Sequence, residues 1–198
     1  MLGLTLSACF LLGDADKETG ASTTPCWSTD ACRRVFATST FYGVTEIQRT
    51  AGTLKADTAC NARAAAAGLT GTYKAWVSDS AQDAIAHITD VGPWYLMDGT
   101  TLVFQNLAQI PYAGGVGGPS NPINQDEYGA LISSGTTGAA TGSNAAGEND
   151  LTKNCSNWAD SGSTMEMGGG LITQTGSAWA TGHVWNCNVS LRLYCFEQ

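Results

Sequence analysis

Positive charge and histidine are scarce in this chain. Nine Lys and Arg stand against 17 Asp and Glu, with two histidines, for a formal net charge of −8. A chain this acidic excludes nucleic acids and anionic membrane surfaces as partners reached through charge. Heparin falls under the same argument: only Arg33 and Arg34 are adjacent bases, so no retention on heparin is expected at about 0.15 M salt. No apolar run is long enough to form a transmembrane helix. His87 and His183 lack partners at metal-ligand spacing, and Cys-x-x-Cys is missing, which argues against zinc and redox chemistry. Neither Gly-x-Ser-x-Gly nor Ser-x-x-Lys occurs, and the glycine-rich stretch 112–118 is not followed by the Gly-Lys-Ser/Thr of a phosphate loop. The chain therefore does not read as an enzyme, and no cofactor or metal is expected.

What is present is small, neutral and rich in cysteine. Hydrophobic residues make up 43% of the chain, charged residues 13%, and there are 24 glycines and seven cysteines. Cysteines spread as Cys9, Cys26, Cys32, Cys60, Cys155, Cys187 and Cys195 read as disulfide partners in an oxidising compartment. The odd one is accounted for at the N-terminus. Leu6, Ser7, Ala8 and Cys9 follow a short apolar run and resemble a bacterial lipobox, which would make Cys9 a lipidated mature N-terminus. Residues 13–25, rich in Asp, Thr, Gly and Ser, read as a flexible tether. Cys26 and Cys32 bracket a loop that a local disulfide could close. The expected organisation is a signal remnant over 1–8, a lipidated cysteine and tether over 9–25, and one folded domain over 26–198.

Within that domain, residues 55–80 form the central stretch. Alanine-rich Lys55 to Ala67 predicts a helix with Cys60 on its small-residue face, and Gly68 sits where a left-handed C-cap belongs. Thr72 to Ser78 predicts a strand with Tyr73, Ala75 and Val77 on one face and Trp76 on the other, hence a strand covered on both sides. Arg34 to Thr40 predicts the first strand, with Val35 and Ala37 opposite Phe36. Ser80 and Asp83 have capping-box spacing for a helix through His87 or Ile88. Residues 91–104 predict a hairpin turning at Asp98 and Gly99, with both turn residues at positive φ. Asn106 to Ile110 predicts a helical turn. Residues 133–150 have almost no large apolar residue and predict a long surface loop, and residues 158–170 read as similarly loop-rich.

The order of motifs resembles endostatin, the C-terminal domain of collagens XV and XVIII, and bacterial endostatin-like surface lipoproteins. The residues that carry this are Ala56 and Asp57 ahead of Cys60, the segments Ala62 to Trp76, Ser80 to Ile85 and Asn154 to Trp158, and the closing stretch Ser190 to Glu197. The resemblance spans roughly residues 35–197. It implies an α+β, C-type-lectin-like fold with a twisted, mostly antiparallel sheet, one main helix, long loops and disulfide staples. It also implies the pairs Cys60–Cys195 and Cys155–Cys187, which leaves Cys26–Cys32; sequence alone does not choose among the connectivities. Trp76 and Trp158 match core positions of the family. Endostatin's zinc histidines have no counterpart in residues 25–52, so zinc is not carried over. The resemblance further implies a non-enzymatic binding module on a bacterial outer membrane, cell surface or periplasmic membrane. Its expected ligand is a protein or glycan, as for an adhesin of extracellular matrix or host regulatory proteins. Trp94, Trp179 and Trp185, flanked by Gly, Asn and Thr, are the expected surface aromatics. Asn121, Asn124, Asp126 and Glu127 supply oxygens for the alternative, a calcium-dependent carbohydrate-binding domain of lectin type.

Overall fold

The computed structural model describes residue 26 and residues 32–133 and 138–198; Cys9 and the tether lie outside the described residues. The chain is α+β. Its main sheet has five strands: β1 (Arg33–Ala37), β4 (Tyr73–Ala75), β5 (Trp94–Tyr95), β6 (Leu102–Phe104) and β10 (Tyr194–Glu197). Their order is β4-β10-β1-β5-β6. β10 runs antiparallel to both β1 and β4, β5 is antiparallel to β6, and β1 and β5 are the parallel pair. A second antiparallel sheet orders β7 (Gly138–Ala140), β8 (Glu166–Leu171) and β9 (His183–Asn186) as β7-β8-β9. A two-residue pair, β2 (Arg49–Thr50) and β3 (Thr53–Leu54), joins α1 (Val44–Ile47) to the main helix α2 (Lys55–Ala66). Short helical turns α3 (Ala84–His87) and α5 (Ala178–Thr181) fill the connections.

The alternation of side chains along the strands divides the interior in two. Val35 and Ala37 of β1, Trp76 after β4, and Tyr194 and Phe196 of β10 enter one core with Trp94, Phe104 and Trp179. Phe36, Tyr73, Ala75, Val77 and Cys195 enter the other, against Ala56, Cys60 and Ala64 of α2. The main sheet is thus covered on both faces, as the composition of its first and fourth strands predicts. Alanine on the inner face of α2 brings the helix close to the sheet, and Gly68 ends it at φ +71.

Three disulfides join Cys26 to Cys32, Cys60 to Cys195 and Cys155 to Cys187. This pairing is the one implied by the endostatin resemblance. Together the bridges place the folded chain in an oxidising, extracellular or periplasmic environment. Among the described residues no helix is long and apolar enough to cross a membrane.

Four local expectations change. Helix α3 begins at Ala84 with Asp83 as its N-cap; Ser80 is outside it, because the Asp79 carboxylate takes the Ala81 and Gln82 amides and builds a turn there first. In the β5–β6 hairpin only Gly99 has positive φ, and the Asp98 carboxylate instead collects the amides of Thr100 and Thr101. The expected surface loop over 133–150 contains buried strand β7, and Thr141, Gly142 and Ser143 are also buried. Small residues are what permit this: a Cβ on Gly142 would lie 2.6 Å from the Trp158 ring, and one on Gly147 would lie 2.7 Å from Trp76. The segment 158–170, expected to be loop, contributes β8, the middle strand of the second sheet.

Residues Cys155–Trp158 (α4) are also unusual. All four have φ between 53° and 61°, a single left-handed turn built without glycine. Such a turn costs about 1–2 kcal/mol per residue. It is held by the Cys155–Cys187 bridge, by Asn154 Oδ1 accepting from the Asn157 amide, and by buried Trp158, whose Nε1 donates to the Ser78 carbonyl at 2.8 Å.

Candidate functional site: an aromatic-flanked cleft beside the main helix

Glu127 is fully buried and ionically committed. Its Oε1 accepts from Arg63 Nε at 2.6 Å and from the Ser39 hydroxyl, while Oε2 accepts from the Ser39 amide at 2.8 Å. Arg63 reaches it from the middle of α2 and also donates Nη2 to the Tyr128 hydroxyl at 3.2 Å. Burial opposes the Arg63 charge, but the hydrogen bond and ion pair with Glu127 outweigh it and hold the guanidinium above its ordinary pKa. Arg192 approaches the same acids from the last turn before β10. Desolvation lowers its pKa, and Asp126 and Glu127 offset part of that loss.

Each arginine carries an exposed aromatic ring. Phe41, 46% exposed, lies 4.4 Å from the Arg192 guanidinium, and Tyr128, 58% exposed, lies 5.7 Å from that of Arg63. Cation–π contact fixes rings that would otherwise turn freely in water. Fixed aromatics beside arginine are the composition of binding hot spots.

Next to this pair a cleft of about 370 Å³ opens between α1 and α2. Half-buried Ala59 and exposed Ala62 line it together with Tyr42, Thr45, Glu46, Lys55 and Thr58, and it is open to solvent. The sequence builds it locally. Glu46, third residue of α1, reaches back so that Oε2 accepts from the Gly43 amide at 2.8 Å, and Lys55 Nζ donates to the Thr45 carbonyl at 3.0 Å. Tyr42 joins the cleft to the aromatic pair. Burial raises its phenol pKa; Arg63 opposes this, while Glu127 and Glu46 add to it, so the hydroxyl is a proton donor at neutral pH.

The site residues expected from sequence are dispersed. Trp94 and Trp179 are core residues, not surface ones. Trp94 is fully buried with Nε1 donating to the Glu197 carbonyl at 2.9 Å, and Trp179 packs 5.1 Å from Trp76, 5.3 Å from Phe104 and 5.4 Å from Tyr194. Glycine in their flanks signals loop, yet those glycines let the backbone close over the rings: a Cβ on Gly92 would lie 2.7 Å from Trp94. Trp185 is half-buried, spread over Gly138 and Gly169 and edge-on to His183 at 4.6 Å. Asn121, Asn124, Asp126 and Glu127 form no shared coordination set. Asn121 Nδ2 donates to the Leu102 carbonyl, Asp126 Oδ1 accepts the amides of Tyr128 and Ala130, and Glu127 faces Arg63. Asn124 is half-buried, its carbonyl accepting from the Ile132 amide. Among the described residues no group of three His, Cys, Asp or Glu is placed to hold a metal.

Sequence reasoning missed Phe41, Tyr42, Tyr128 and the rim of the cleft. Their one visible signal was aromatic residues beside polar turns, which does not distinguish an exposed ring from a buried one. Arg63 and Lys74 serve different partners: Arg63 pairs with Glu127, and Lys74 Nζ donates to the His87 carbonyl at 2.7 Å. Compared with protein-family models and with curated protein sequences, the chain gives no significant match.

Proposed function

We propose that this chain is a non-enzymatic, lipid-anchored binding module of a bacterial surface or periplasm, with an endostatin-like, C-type-lectin-like fold. Its ligand is a protein of the extracellular matrix or a host regulatory protein. The observation that carries this reading is a pair of exposed rings, Phe41 and Tyr128, each seated on an arginine, together with an open cleft lined by Tyr42, the residue after Phe41. The disulfides support export. The motif Leu6 to Cys9 supports the anchor. The net charge of −8 supports recognition through neutral and aromatic contacts, with weak dependence on salt and no capture of heparin at about 0.15 M.

The test is an array of matrix proteins, host regulatory proteins and glycans probed with the disulfide-intact chain, with and without calcium, beside the Phe41→Ala/Tyr128→Ala variant. Saturable, calcium-independent protein binding that drops about tenfold or more in the variant is expected. Binding that needs calcium would move the reading to a lectin-type domain, and turnover of any arrayed substrate would overturn it. For the anchor, protein expressed with a complete signal partitions into detergent, and Cys9→Ala abolishes this. Equal partitioning of both forms would remove the lipid from the proposal.

A further inference from the structure

The cleft between α1 and α2 has a chemistry of its own. Its walls hold one carboxylate and one ammonium, both fixed by the backbone: Glu46 by the Gly43 amide and Lys55 by the Thr45 carbonyl. Each keeps capacity toward the opening. An ammonium has three donors and Lys55 uses one; a carboxylate has two oxygens and the described partner of Glu46 meets only Oε2. The hydroxyls of Tyr42, Thr45 and Thr58 make no side-chain hydrogen bond to another described residue, and all three line the cleft. Beneath them Ala59 and Ala62 present methyl groups from successive turns of α2.

This lining selects among ligands. An anion meets Glu46 inside a protein of net charge −8, and a cation meets Lys55. A purely apolar side chain meets the methyl groups of Ala59 and Ala62 but offers no partner to the surrounding hydroxyls, carboxylate and ammonium, and any of these that it covers loses water unpaired, which is costly. A neutral ring with one C–H face and several hydroxyls meets every part: its apolar face lies on the alanines, and each hydroxyl both donates and accepts, so it pairs with carboxylate, ammonium and hydroxyl alike. The volume, about 370 Å³ and open to solvent, is at the low end of the ~300–1,000 Å³ typical of small-ligand sites and is of the size of one ring.

We propose that this cleft is a calcium-independent subsite for a single uncharged pyranose unit, with Glu46 and Lys55 as its paired hydrogen-bonding groups. The inference deepens the binding-module reading and rests on it. It adds that the protein partner is recognised partly through a neutral sugar, seated beside the Phe41 and Tyr128 contacts.

The experiment is saturation-transfer and chemical-shift NMR on the full chain in EDTA. The probes are the methyl glycosides of glucose, galactose, mannose and N-acetylglucosamine, and the variants are Ala62→Phe, Glu46→Gln and Phe41→Ala/Tyr128→Ala. Ala62 is exposed on α2, so phenylalanine there fills the cleft without entering the core; circular dichroism checks folding. Expected are saturable shifts at Tyr42, Thr58 and Lys55 for at least one glycoside. Ala62→Phe should weaken this affinity about tenfold or more, and Glu46→Gln severalfold. Shifts from no glycoside, or shifts that survive Ala62→Phe, overturn the subsite. A macromolecular ligand whose binding falls in Phe41→Ala/Tyr128→Ala, yet ignores both Ala62→Phe and free glycoside, would overturn the sugar subsite and leave the binding module standing.

Discussion

Asn61 pairs with the backbone of Tyr73 as a neighbouring strand would. Its Nδ2 donates to the Tyr73 carbonyl at 2.7 Å, and its Oδ1 accepts from the Tyr73 amide at 2.9 Å. One turn earlier, Asp57 Oδ1 accepts from the Ala75 amide at 2.8 Å and is itself held by His87. β4 is the edge of the main sheet, and its outward polar groups would otherwise be a template for pairing with another chain. Helix α2 therefore closes the sheet with two side chains as well as burying it. Asn61→Leu removes a reciprocal pair and leaves a half-buried amide and carbonyl unmet. It is expected to cost about 2 kcal/mol, read as a lower urea midpoint at unchanged m-value, with increased light scattering on warming. An unchanged midpoint would mean that water replaces Asn61 without loss.

Glu127 is expected to be the most sensitive acid among those described. Replacement by Gln keeps the shape but strands Arg63, whose side chain is only 23% exposed. Breaking a buried pair from one side costs about 3 kcal/mol or somewhat less here, given that partial exposure. Urea denaturation measures it. The same variant should loosen Tyr128, seen as ring chemical shifts that move toward those of a free tyrosine, because Arg63 is the group that seats the ring.

The bridge between Cys60 and Cys195 spans 135 residues of sequence, against 32 for Cys155–Cys187 and 6 for Cys26–Cys32. In the chain-entropy account the three restrain the unfolded chain by about 5, 4 and 2 kcal/mol respectively. Paired Cys→Ala variants should rank in that order by denaturant midpoint. Peptide mapping without reduction should recover the three pairs, and a Cys60–Cys155 peptide would contradict them.

Alkaline stability should depend on Tyr73. Burial, reinforced by the Glu197 carboxylate and opposed by Arg34, raises its pKa from 10.0 to about 12. A raised folded pKa means that the folded chain keeps a proton the unfolded chain has already released. The contribution is complete below the unfolded value, declines from about pH 10, and is gone once pH passes about 12. Tyr73→Phe should flatten the fall in stability over that window, measured by thermal melts at stepped pH. An identical slope in both proteins would show that other groups govern alkaline unfolding.

Ser156 offers a gain. It is exposed, at φ 54° and ψ 50°, within the left-handed turn. Glycine adopts that backbone without a Cβ clash, and the relief exceeds the added entropy of the unfolded chain. Ser156→Gly is expected to stabilise by about 0.5–1 kcal/mol, whereas most surface substitutions to glycine destabilise. A lower denaturant midpoint would place the strain elsewhere.

The sequence by itself determined the elements whose signal is local and repetitive. The period-2 pattern of Val35, Phe36 and Ala37, and of Tyr73 to Val77, assigned each side chain to its core, because a strand points neighbours to opposite faces whatever surrounds it. The alanine run and Gly68 determined α2 and its end for the same reason. Cysteine content determined the oxidising compartment. Only the tertiary structure decided what depends on distant partners. Residues 138–143 carry no apolar pattern, and their burial comes from Trp158 and Trp185, which arrive from elsewhere in the chain. Trp94 and Trp179 carry the same local signature as exposed rings, and the main sheet decided that they lie inside. Arg63 and Glu127 are 64 residues apart, and nothing in either neighbourhood announces the other. The cleft follows the same logic: Tyr42, Glu46 and Lys55 become one rim only once β2 and β3 fold α1 back onto α2. Local sequence sets the conformations available to a segment, and the free energy of long-range burial and charge pairing selects the surface that remains.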